Sequence, residues 1–145
     1  MSDADPPAEH LTTRTLAMPA GANASGDIPG DWVLSRLDIA GGIRAAELAG
    51  GRVATVAVEA MQFLRPVRVG DVLSVYTTVQ RVEHASIVIA LEAWTLRQPR
   101  SASLNASKEG TFAQVKVTQG VFTFVSLDEA GRPKVVHPME RPRSL

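Results

Sequence analysis

The sequence predicts an α+β fold in which an antiparallel β-sheet of about five to six strands wraps around one long central helix. Two observations predict it. The stretch from Asn23 to Gly51, NASGDIPGDWVLSRLDIAGGIRAAELAGG, carries Leu34, Leu37, Gly41, Ala45 and Leu48 at spacings of three and four, which is one face of a 3.6-residue period. Around it, Val53 to Met61, Val72 to Val82, Ser86 to Leu96 and Gln114 to Leu127 alternate with period two and are separated by turn residues. One apolar helix and several hairpin-spaced strands bury their apolar faces most simply as a sheet packed on a helix.

Taken in order, Leu11 to Met18 is Thr-containing and reads as an edge strand that Pro19 interrupts. The helix should begin near Pro29 or Gly30, because proline is tolerated only in a helix's first turn, and Gly50 and Gly51 should stop it. Gly41 and Gly42 are adjacent inside the helix, where each costs roughly 1 kcal/mol relative to Ala, so another backbone or a ligand should approach closely there. In the first later strand Val56 and Val58 fall on one parity, with Thr55, Ala57, Glu59 and Met61 on the other. Pro66 breaks the chain and Val67 to Gly70 turn it. Val72 to Val82 and Ser86 to Leu96 then form an antiparallel hairpin across Glu83 to Ala85. Residues from Arg97 to Ala113 are rich in Ser, Asn, Gly and Pro and read as a mobile, solvent-exposed connection. A last strand from Gln114 to Leu127 ends in a turn from Asp128 to Pro133.

At 145 residues the chain fits a single domain over 11–136, with a disordered tail over 1–10 and a basic, Pro-rich C-terminal tail over 137–145. Zero Cys removes disulfides, thiolate metal sites and a Cys nucleophile, and fits a cytoplasmic location. The first ten residues lack an apolar run, so neither a signal peptide nor a membrane anchor is expected there. Fifteen basic against fifteen acidic residues, without a Lys/Arg block among aromatics, argue against nucleic acid as a partner.

No G-x-S-x-G, Walker A, H-E-x-x-H or G-x-G-x-x-G motif is present. His10, His84 and His137 are too scattered for a metal site, so no metal and no cofactor are expected. Carboxylates remain. Asp38 lies four residues after Leu34 and three before Gly41, so it projects from the apolar stripe, where an acid is either a base for catalysis or a buried group bonded to backbone. Gly30 lies eight residues earlier, so free N–H groups at the helix start and the Asp38 carboxylate could border one pocket, an oxyanion site paired with a base. Glu59 and Glu92 share parity with residues facing away from the helix, and substrate-side or structural roles suit them better than catalysis.

The segments N-A-S-G-D-I-P-G-D-W-V-L-S-R-L-D-I-A-G-G, T-V-A-V-E-A-M and F-L-R-P-V-R-V-G-D are similar to the hot-dog-fold acyl-CoA thioesterases of the YciA type, and the likeness runs from Leu11 to Pro133. The resemblance implies hydrolysis of an acyl-CoA thioester to a free acid and CoA, at a site on the interface of a homodimer that joins two sheets edge to edge, commonly within a trimer of such dimers. It implies Asp38 as general base or nucleophile, Gly30 and the adjacent N–H as holders of the thioester carbonyl, and Arg65 and Arg81 as cations for the CoA phosphates. Asn23 and Thr55 would orient Asp38 or water. Asp31 stands where the family has a second glycine, and Pro29 where it has Phe. The catalytic set expected is thus Asp38, Gly30, Asp31 and Asn23, with Arg65, Arg81, Thr55 and Glu59 on the substrate side. A non-catalytic acyl-CoA-binding or regulatory protein of the same fold is the alternative, carried by Asp31 and by Glu83, His84, Ala85 and Ser86 standing where the family has a basic turn. A hydratase would need a His near the helix, and none lies between His10 and His84.

Overall fold

The computed structural model describes residues 6–7, 10–97 and 113–137. The connection expected between Arg97 and Ala113 and the tails expected over 1–10 and 137–145 lie wholly or mostly outside those residues. Helix α1 spans Gly30–Ala49, after Pro29 in extended conformation (ψ 160°), and ends at Gly50 with φ 70°. A positive φ suits glycine, and the Gly50 N–H closes the last turn on the Ala46 carbonyl at 2.8 Å.

Strands β1 (Leu11–Leu16), β3 (Val53–Phe63), β5 (Val72–Glu83), β6 (Ser86–Arg97) and β7 (Ala113–Ser126) form one five-stranded antiparallel sheet. Its order is β1-β5-β6-β7-β3, so β3 lies at one edge. The segment expected to turn from Val67 to Gly70 instead begins with a strand, β4 (Val67–Arg68), which pairs with β2 (Asp27–Ile28) just before the helix. Two-residue strands carry no periodicity, which is why pattern reading misses them. This small ladder ties the helix start to the chain that follows β3.

The helix lies on one face of the sheet and buries Val33, Leu37, Ala40, Gly41 and Ala45, a stripe displaced slightly from the expected one. Leu34 and Leu48 are only partly buried at its margin. Opposing them are Leu73, Val75, Ile87, Ile89, Leu91, Phe122 and Phe124, each at most 1% exposed. Full burial of such side chains contributes about 1.5–3 kcal/mol apiece relative to exposure.

Gly41 is explained by this packing. A Cβ there would sit 2.7 Å from Cζ of Phe124, whereas at Gly42 the nearest such contact is 3.9 Å. Gly41→Ala is therefore expected to lower stability by about 1–3 kcal/mol through overpacking, partly offset by about 1 kcal/mol of helix propensity, while Gly42→Ala carries no such clash. Denaturant midpoints of the two variants check this; equal midpoints would refute the account of Gly41.

Strand β3 departs from simple alternation. Its register against β7 shifts between Thr55 and Ala57, so Thr55 opposes Phe124 and Val58 opposes Phe122. The bulge thus places Thr55 and Val58 on the helix-facing side together, where unbroken parity separates them. A second shift between Glu59 and Gln62 contains Ala60 at φ 51°. In β7, a register shift against β6 lies at Ala93/Trp94, and the Val117 carbonyl accepts the N–H groups of Leu64 and Arg65 at 2.7 and 3.2 Å. Val117 is consequently buried beside residues of the opposite parity.

Candidate active site

Asp38 lies on the flank of the buried helix face, half-exposed, at the side where β3 packs. The Thr55 hydroxyl donates to its Oδ1 at 2.6 Å. The bond fixes one carboxylate oxygen, and among the described residues no donor engages Oδ2. The bulge after Thr55 keeps this hydroxyl on the helix side.

Gly30 opens the helix, and among the described residues no acceptor engages its N–H or that of Asp31, while the Trp32 N–H turns back to the Pro29 carbonyl at 3.1 Å. Free N–H groups at a helix start favour negative charge. They border a cleft of about 330 Å³ lined by Ile28, Gly30, Val33, Phe63, Leu64, Arg65, Pro66, Val67 and Thr118. Phe63 packs closest to Gly30, its ring carbon 3.4 Å from where a Cβ would stand. Thr118 is 1% exposed, and its hydroxyl oxygen has no hydrogen-bond partner among the described residues. An unsatisfied buried hydroxyl costs about 1–3 kcal/mol.

Gly30 and Asp38 do not meet in one chain. Eight residues at 1.5 Å rise place them about 12 Å apart along the helix, beyond the reach of one thioester carbonyl. The pairing expected from their spacing is therefore not available within a single chain.

Within one chain the Asn23 side-chain carbonyl is engaged away from Asp38. Its Oδ1 accepts the N–H groups of Ser25 at 2.9 Å and Asp27 at 3.0 Å, so it shapes the turn that leads into the helix. Asp31 is exposed on the first turn and is absent from the cleft lining. There its carboxylate complements the helix dipole. Glu59 is exposed opposite Val121, on the face of the sheet away from the helix, and is likewise outside the cleft. Glu92 on that same face accepts the Trp94 indole N–H at 2.9 Å and lies 3.7 Å from the Lys116 ammonium, a structural role.

Arg65 sits on the cleft rim and donates to the Lys116 carbonyl at 2.6 Å. Arg81 is elsewhere, beside Glu83 at 3.5 Å near the β5–β6 turn. The register runs Arg81 to Val88 to Thr123, whereas Arg65 follows Phe63, which opposes Thr118. Three strand spacings, about 14 Å, and five residues along a strand, about 17 Å, separate the two levels. One chain does not bring both arginines to one phosphate group.

Among the described residues, no group of three or more His, Asp or Glu is placed to hold a metal ion, and no helix is long and apolar enough to cross a membrane.

A long helix cradled by an antiparallel sheet is the architecture of a hot-dog protein. The chain belongs to the thioesterase superfamily, whose family model matches residues 30–102. It is 42% identical over 134 residues to the acyl-CoA thioester hydrolase YciA of Escherichia coli, covering 92% of this chain and 95% of the relative. A solved hexameric broad-specificity acyl-coenzyme A thioesterase superposes with a TM-score of 0.81 at 41% identity, covering 94% of this chain and 87% of that one. A hexameric thioesterase from Yersinia pestis gives a TM-score of 0.76 at 43% identity, covering 90% and 98%.

Proposed function

We propose that this protein hydrolyses acyl-CoA thioesters to free carboxylic acid and CoA, at a site that Gly30 of one protomer and Asp38 of another complete together. The observation that carries the reading is the Asp38 carboxylate, held by Thr55 with one oxygen free, on a helix whose first N–H groups are unengaged. The names of the relatives support the substrate class.

In this reading Asp38 takes a proton from water as the water oxygen attacks the thioester carbon. The carbonyl oxygen gains the negative charge, and the Gly30 and Asp31 N–H groups stabilise it. The C–S bond then breaks, and the proton returns from Asp38 to the leaving thiolate. In direct attack the carboxylate expels the CoA thiolate and forms a mixed anhydride that water cleaves to the same products. Water attacking the Asp38 carbon of that anhydride leaves heavy oxygen from labelled water in the carboxylate, which the general-base route does not.

The second protomer is supplied by the sheet edge. Val56 and Phe63 on β3 are 57% and 55% exposed, and Ile39 and Ile43 on the helix are similarly bare. A long apolar edge strand is a template for pairing with another chain. A homodimer joined along β3, three such dimers making a hexamer, fits both this edge and the hexameric relatives. Arg65 then meets the CoA arm at the cleft rim, and Arg81 contributes to a phosphate only from another protomer.

Thiol release from short, medium, long and aromatic acyl-CoAs tests the reading. A steady wild-type rate with at least one of them is expected. Tight acyl-CoA binding without thiol release would overturn hydrolysis in favour of a binding protein.

A further inference from the structure

Among the described residues Thr118 carries the one buried hydroxyl on the wall of the cleft, and neither the fold nor the reaction above uses it. Valine has the same shape and would leave nothing unsatisfied, so packing alone does not account for threonine here. Its backbone lies at the β7 bulge, where the Val117 carbonyl is held by two N–H groups from the chain after β3. Thr118 keeps the parity of Phe122 and Phe124, so its side chain stands on the helix-facing side of the sheet, where it lines the cleft.

The rest of the cleft is apolar apart from Arg65 at the rim and the Gly30 N–H at the mouth. Its floor is made by Val33 and Val67, each 3% exposed, and Ile28. A pantetheine arm must run outward to the nucleotide and does not end against a buried floor, whereas an acyl chain can. We propose that Thr118, buried and unpaired in the wall of the cleft that opens at the Gly30 N–H, selects acyl groups bearing a hydroxyl or keto oxygen along the chain; the proposal rests on the thioesterase reading. The hydroxyl both donates and accepts, so either oxygen satisfies it. A plain acyl chain leaves it unsatisfied, and that difference is the source of discrimination.

The test compares kcat/KM for β-, γ- and δ-hydroxyacyl-CoAs with unsubstituted acyl-CoAs of equal length, in the wild type, Thr118→Val and Thr118→Ser. The wild type is expected to prefer one of the hydroxyacyl series about tenfold, a difference of the size one neutral hydrogen bond supports. Thr118→Val should erase the preference while leaving the unsubstituted substrate within about twofold, and Thr118→Ser should restore it. A preference that survives in Thr118→Val overturns the proposal. So does an equal fall for both substrates, which would assign the hydroxyl to the pantetheine arm or to the fold. Should the wild type release thiol from none of them, the thioesterase reading fails by itself, and calorimetric binding of the same CoA esters decides Thr118: a hydroxyacyl preference lost in Thr118→Val sustains it, and equal affinities refute it.

Discussion

Asp38→Asn is expected to fold, to bind acyl-CoA as the wild type does, and to hydrolyse it at least about a hundredfold more slowly, the contribution typical of a positioned general base. The substitution is chosen because it separates geometry from chemistry. An asparagine oxygen still accepts the Thr55 hydroxyl that donates to Oδ1 at 2.6 Å, so β3 and the helix keep their contact. The carboxamide takes no proton from water. Thiol-release kinetics beside a thermal melt and CoA binding check the three parts together. Full activity in this variant would remove Asp38 from the mechanism.

The second large effect is expected at Gly30→Pro. Proline lacks the N–H, and the first position of a helix is where that loss costs the helix nothing. Pro29 already holds the extended ψ of 160° that a residue before proline prefers. The variant should therefore fold and lose about a hundredfold or more in kcat, the size associated with one oxyanion donor, with less change in KM. Gly30→Ala retains the donor and brings a methyl only to 3.4 Å from the Phe63 ring, so it should stay near the wild-type rate. If proline and alanine behave alike, the Gly30 N–H does not hold the carbonyl.

Much of this was legible in the sequence where a local rule governs it. Pro29 and Gly50 delimit the helix because proline and glycine restrict the backbone directly. Asp38 stands out because a charge beside an apolar stripe contradicts the pattern around it. What the sequence conceals depends on register. The bulge that turns Thr55 to Asp38 is invisible to parity, and so is the separation of Arg65 from Arg81, which their shared charge suggests grouping. The motif singles out Asn23 without signalling that, within one chain, its side-chain oxygen also holds the turn before β2. Thr118 gives no signal at all, since threonine is an ordinary strand residue and only its missing partner in the fold marks it.

In the proposed site the N–H and the carboxylate acting on one thioester come from different protomers, since about 12 Å of helix separates them in one chain. The most direct test is complementation. Gly30→Pro and Asp38→Asn chains, each inactive alone, are co-expressed with different tags and purified through both. Shared sites predict recovery to about a quarter of the wild-type rate in a hexamer of three randomly paired dimers, where half the dimers are mixed and each mixed dimer holds one intact site of two, and to about half if the assembly is a single dimer. A doubly tagged assembly that remains as inactive as its parents would contradict the account.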